Sequence, residues 1–168
     1  MVELKVGDKF PDNVTFTYVP FTEAEAGITV CGFPQPYNAS KEWADKKVVI
    51  FALPGAFTPT CSATQLPGYI AKEKEIKSKG VDIIAVAAIN DAYVMDAWAK
   101  ANGVKNNDIL FLGDEGLNFG KAVGWDLPNG RLARAAMIID HGKITYHALE
   151  PHQQKVTNSG AEAILEQL

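Results

Sequence analysis

Cysteine is scarce in this chain: Cys31 and Cys61 are the two among 168 residues. Two thiols are too few for a secreted disulfide scaffold, and they show no C-x-x-C zinc spacing. Their chemistry, if any, is redox or nucleophilic. Long apolar runs are also missing. No stretch reaches the roughly 18 residues of a membrane span, and Met1-Val2-Glu3-Leu4-Lys5 lacks a basic region followed by an apolar stretch and a cleavage site. The chain reads as soluble and unsecreted. Basic charge is dispersed, and 16 Lys and Arg against 20 Asp and Glu leave a net charge of −4. Nucleic acid and anionic membranes are therefore poor partners, whereas a small neutral substrate is compatible. No internal repeat or low-complexity segment is present.

What is there is a core. At 47% apolar residues, the chain can build one compact domain over residues 1–168 and is too short for two to be expected. Lys46 to Leu53 and Val81 to Ile89 are short apolar, β-branched runs, the pattern of strands buried on both faces of a parallel sheet. Ile109 to Leu112 predicts a further strand. Ala133 to Asp140 leads through His141-Gly142 into Lys143 to Leu149 as a β-hairpin. Helices are predicted at Ser40 to Asp45, from Cys61 to Lys79 with a kink at Pro67, at Asp91 to Asn102 capped by Asn90, and at Asn118 to Val123. The last is Ser159 to Leu168, with Ser159 and Glu162 in a capping-box pattern. In the helix before Gly103, Tyr93, Val94, Ala97 and Trp98 recur at helical spacing and read as core contacts. The first forty residues, punctuated by Pro11, Pro20, Pro34 and Pro36, hold β-like pieces at Val14 to Val19 and Ile28 to Val30. They form an N-terminal extension on an α/β sandwich with a mixed central sheet.

One segment concentrates the chemistry. Pro54-Gly55-Ala56-Phe57-Thr58-Pro59-Thr60-Cys61 carries the first buried strand directly into a cysteine at a helix start. Unpaired backbone N–H groups and the positive end of the helix dipole favour a thiolate there. A cysteine taken at random is an inert small hydrophobe, and this context reverses that reading for Cys61.

Pro54, Thr58 and Cys61 match the Pro-x-x-x-Thr/Ser-x-x-Cys motif of peroxiredoxins, and the run through Ser62 resembles the peroxiredoxin-5-like subfamily. Leu66-Pro67-Gly68-Tyr69, Asn90 to Met95, Ala97-Trp98 and Arg131-x-x-Arg134 extend the likeness over essentially the whole chain. Cys31 paired with Cys61, together with Asn38 to Trp43, is similar to fungal members, allergens among them. The resemblance implies a thioredoxin-like fold and reduction of hydrogen peroxide and small alkyl hydroperoxides. No metal or organic cofactor is called for. Cys61 would be the nucleophile that becomes a sulfenic acid, Arg134 and Thr58 its activating partners, and Pro54 a shield against water. In similar fungal proteins Cys31 of one subunit resolves Cys61 of the other, which implies a homodimer reduced by thioredoxin or by glutathione with glutaredoxin.

Two positions depart from the family pattern. Gln65 stands where His is common, so it can hydrogen-bond but not titrate, and Ala135 replaces an aromatic residue after Arg134, leaving volume for a neighbour to fill.

Other readings stand beside this one. Cys31, in Ile28-Thr29-Val30-Cys31-Gly32, fits a buried structural cysteine of a β-like segment as well as a resolving thiol. Arg131 reads as a surface residue. His141, His147 and His152 read as surface or packing residues, which weakens a cysteine hydrolase, and Ser62-Ala63-Thr64 after Cys61 denies a thioredoxin-type oxidoreductase its second cysteine. The rival from another class is a redox-switched binding or chaperone protein. The compartment expected is cytosol, with peroxisome or mitochondrion as alternatives; Glu166-Gln167-Leu168 does not match the peroxisomal Ser-Lys-Leu address.

Overall fold

The computed structural model describes residues 3–168. The runs read as doubly buried strands are adjacent: β3 (Lys47–Ala52) pairs in parallel with β4 (Ile83–Ala88), which pairs in parallel with β5 (Ile109–Gly113). On its other side β3 meets β6 (Ala135–Asp140) antiparallel, in the register Ala52↔Ala135. The hairpin β6–β7 (Lys143–Leu149) forms one edge, turning at His141 and Gly142, both at positive φ. The other edge is β1 (Thr15–Tyr18) with β2 (Gln35–Asn38), giving a seven-stranded mixed sheet in the order β2-β1-β5-β4-β3-β6-β7.

Alternation along each strand sends side chains to two cores. On one face Val49, Phe51 and Val86 pack against α2 (Leu66–Ser78), α3 (Ala92–Ala101) and α5 (Ala161–Gln167). On the other, Val48, Ile50 and Met137 meet Trp43 after α1 (Ala39–Glu42) and Phe119 of α4 (Asn118–Val123). Each such side chain contributes roughly 1.5–3 kcal/mol by burial.

Several local expectations shift. Ile28 and Thr29 form a turn, and Cys31 lies in an irregular segment. The second extension strand is Gln35–Asn38, where Pro36 is tolerated because β2 is an edge. The short helix starts at Ala39, one residue early, with Asn38 accepting from the Lys41 N–H. The cap of α3 is Asp91, which accepts from Val94 N–H at 2.9 Å, and not Asn90. Tyr93 points outward, 51% exposed, while Met95 and Trp98 are buried. At α5 the capping position is Gly160; the Ser159 hydroxyl turns inward to Glu150 instead.

Candidate active site

The site forms where β3 ends. The helix that follows opens at Pro59, which suits a first turn because its missing N–H would have had no partner. Residues Cys61–Gln65 then take the wider π form before α2 begins at Leu66. Pro67 accounts for the widening: its ring would press on the carbonyl four residues back in a regular α turn. The predicted kink is thus a widened turn beginning at the cysteine.

Cys61 is fully buried. Arg134 Nη2 donates to its Sγ at 3.2 Å. Arg134 stands immediately before β6, and the register Ala52↔Ala135 sets it beside the loop that leaves β3. The arginine is 3% exposed, so its donors need acceptors. Nε donates to the Gln153 carbonyl at 2.7 Å and Nη1 to Gln65 Oε1 at 2.6 Å. The Arg134 backbone N–H is taken by Gln153 Oε1 at 2.6 Å. Gln65 in turn donates through Nε2 to Ser159 Oγ at 3.2 Å. Ser159 is held by Glu150, which accepts from the N–H and hydroxyl of both Thr157 and Ser159. Burial opposes charge on Glu150, but those hydrogen bonds outweigh it and bring the carboxyl below its ordinary value. A continuous chain therefore runs Glu150–Ser159–Gln65–Arg134–Cys61.

The loop before the helix is held separately. Thr58 Oγ1 donates to the Gly55 carbonyl at 2.7 Å, so its proton braces the loop and its lone pairs are left to accept. Asn90 Oδ1 accepts from Ala56 N–H at 2.8 Å. Arg131, exposed as expected, still donates through Nη1 to the Pro54 carbonyl at 3.0 Å. Gly55 packs so tightly that a Cβ there would come within 2.9 Å of Arg131 Nη1. Between these anchors Phe57 sits at φ +61° and is 56% exposed, a left-handed backbone in a bulky residue that its surroundings must enforce. Trp98 Nε1 donates to Ser62 Oγ at 3.2 Å, tying the helix start to α3.

Of the residues singled out in the sequence, Cys61 and Arg134 are in direct contact, and Thr58 and Pro54 belong to the loop beside them. Cys31 lies elsewhere: it is exposed, its Sγ donates to Asp96 Oδ2 at 3.5 Å, and both cysteines are free thiols. Ala135 belongs to the core on the face opposite that of Cys61, so its lost volume does not border the sulfur. Asn90, Gln153, Ser159 and Glu150 carry no local sequence signal for this site. A cavity of about 470 Å³ is lined by Lys9, Phe10, Trp43 and His141, among others, and holds none of these residues. Among the described residues no His, Cys, Asp and Glu cluster is arranged to hold a metal ion, and no helix is long and apolar enough to cross a membrane.

The redoxin family model matches residues 5–165. A protein of Emericella nidulans named putative peroxiredoxin prxA is 56% identical over the full length of both chains. The chain is a peroxiredoxin of the redoxin family. Peroxiredoxin Pen c 3 of Penicillium citrinum is 54% identical, covering 99% of this peroxiredoxin and 100% of the relative. Reduced Prx3 from Vibrio vulnificus, solved in complex with H2O2, superposes with a TM-score of 0.82 at 38% identity, covering 97% and 98% of the two chains. The mixed sheet flanked by helices is thus the thioredoxin-like fold, and the molecule is a thiol peroxidase of fungal, allergen-like kinship. Its family acts on peroxide with a thiol reductant.

Proposed function

We propose that residues 1–168 act as one peroxidase domain in which Cys61 reduces hydrogen peroxide and small alkyl hydroperoxides. The Cys61 sulfur attacks the distal peroxide oxygen, the O–O bond breaks, and water or alcohol leaves with a proton, so that Cys61 becomes a sulfenic acid. The observation that carries this reading is the Arg134 guanidinium, 3.2 Å from Cys61 Sγ and buried. It offers a permanent positive charge where negative charge develops. Thr58, its own proton committed to Gly55, presents lone pairs to a peroxide O–H. Pro54 adds no N–H to the pocket and limits water beside the sulfur.

Cys31 of the partner subunit then resolves the sulfenic acid to a disulfide. Two features support this pairing in trans. Cys61 is fully buried while Cys31 is exposed, and the apolar side chains of Ile28, Val30 and Phe33 around Cys31 are 60, 44 and 85% exposed. Such a patch favours a second copy of the chain. External thiols, from thioredoxin or from glutathione with glutaredoxin, complete the cycle, and both systems are found in the cytosol, the compartment this reading takes.

The test is non-reducing gel migration of wild type and Cys31→Ser after one equivalent of hydrogen peroxide, with mass spectrometry of the Cys61 peptide. A covalent dimer in wild type alone supports the cycle; a Cys61 sulfenate without dimer in both proteins overturns the role of Cys31. Peroxide consumption that stops near one equivalent with excess reductant would mark a redox switch instead of a turnover enzyme.

A further inference from the structure

Although Cys31 is exposed, its segment is held against α3. Asp96 Oδ2, which accepts from the Cys31 thiol at 3.5 Å, also pairs with Lys100 Nζ at 2.8 Å in a bridge whose side chains are only 9% and 3% exposed. Lys100 Nζ donates in addition to the Val30 carbonyl at 2.6 Å. Both residues lie one turn apart on α3, so a single helical turn holds the backbone of residue 30 and the sulfur of residue 31. Glu25 Oε2 lies beside the next residue, within 2.5 Å of where a Cβ on Gly32 would stand.

A buried ion pair is retained only where its hydrogen-bonding capacity is filled, and here the segment carrying Cys31 supplies part of that filling. We propose that the Asp96–Lys100 pair is the seat of Cys31, a positioning device that holds the thiol as a hydrogen-bond donor against α3 until the Cys61 sulfenic acid is presented. The inference rests on the resolving role proposed above. The surrounding charges agree with the geometry. Burial first, then the hydrogen bond and charge of Asp96, push the Cys31 thiol up; Glu25 adds to this and Lys100 opposes it. A protonated thiol reacts poorly with free peroxide, which keeps Cys31 reduced for its task. The same helix carries Trp98, bonded to Ser62 beside Cys61, so α3 ties down the surroundings of both cysteines. In the step served, a bond forms between the two sulfurs, the Cys61 S–O bond breaks, and the thiol proton leaves with the hydroxyl as water.

In the reduced protein, Asp96→Asn should speed alkylation of Cys31 by iodoacetamide at pH 7 several-fold and move its pH–rate profile to lower pH, with Cys61 alkylation unchanged. Because Asn leaves Lys100 buried and unpaired, Asp96→Leu with Lys100→Met serves as a second variant without an isolated charge, and the same direction is expected. Identical Cys31 profiles in wild type and both variants would overturn the seat. The Cys31–Cys61 disulfide is scored separately after one equivalent of hydrogen peroxide. Its absence from wild type defeats the resolving role, while its presence beside unchanged alkylation profiles defeats the seat alone.

Discussion

Arg134 and Cys61 are 73 residues apart in sequence and 3.2 Å apart in space. Antiparallel pairing of β6 with β3 brings the arginine to the end of β3, and Gln65 and Gln153 then aim it. Arg134→Lys keeps the charge but loses the planar fork that reaches sulfur, Gln65 and Gln153 together. A fall in kcat/KM of about a hundredfold or more is expected, the scale of a lost oxyanion-type donor. Steady-state peroxidase kinetics check this, with Cys61→Ser as the inactive reference; turnover retained in Cys61→Ser would sink the mechanism.

Gln65→Leu removes the acceptor of Arg134 Nη1 and the donor to Ser159. Leaving a buried charged donor unmatched costs about 1–3 kcal/mol, so both denaturant midpoint and peroxidase rate should drop. Gln65→His, able to accept at one ring nitrogen, should recover more activity than Leu and add a pH dependence near neutrality that wild type lacks at this position. Rate profiles from pH 5 to 8 for the three proteins decide it.

Asn90 and Asp91 are neighbours with different tasks. Asp91→Ala removes a helix cap and should cost about 1 kcal/mol of stability with peroxidase kinetics intact. Asn90→Ala strips the acceptor from Ala56 N–H in the active-site loop and should lower kcat/KM by more than its effect on stability would imply. Equal kinetic effects from the two variants would refute the assignment.

Acid should destabilise the fold in two stages. His147 accepts from Trp125 Nε1 at 2.8 Å, and burial pushes its pKa below the ordinary 6.5. A depressed histidine binds fewer protons folded than unfolded, so its contribution is present above 6.5 and is lost as pH falls below it. Glu150, depressed from 4.5, contributes above that value and loses its contribution as pH falls through its lower folded value. Thermal midpoints from pH 8 to 3 should therefore decline in both windows, and Glu150→Gln should flatten only the lower one.

Much of the fold was legible because it rests on local pattern. The strand, the Pro54-Gly55 break, the cysteine at a helix start and the β6–β7 hairpin lie in short windows whose apolar periodicity and turn residues speak for themselves. The buried face of α3 was legible only in part: Trp98 is core, as its spacing indicates, and Tyr93 is not. Asp96 and Lys100 occupy core-facing positions as an ion pair, and charged residues there disguise the apolar stripe, so helical spacing points to the exposed Tyr93 as well as to the buried Trp98. Likewise Ile28 to Val30 has strand-like residues, but the partner edge is taken by Gln35–Asn38.

By itself the sequence determined the setting of the candidate thiol, since a helix start, a proline and a threonine gather at Cys61 within eight residues of chain, and it carried the family likeness that pointed to Arg134. The tertiary structure alone decided which acceptors aim that arginine, that Asn90 braces the loop while Asp91 caps the helix, and that Cys31 rests on Asp96. These are pairings between groups such as the 94 residues separating Gln65 from Ser159, and a hydrogen-bonding side chain has no preference among distant partners until sheet register and burial leave it one.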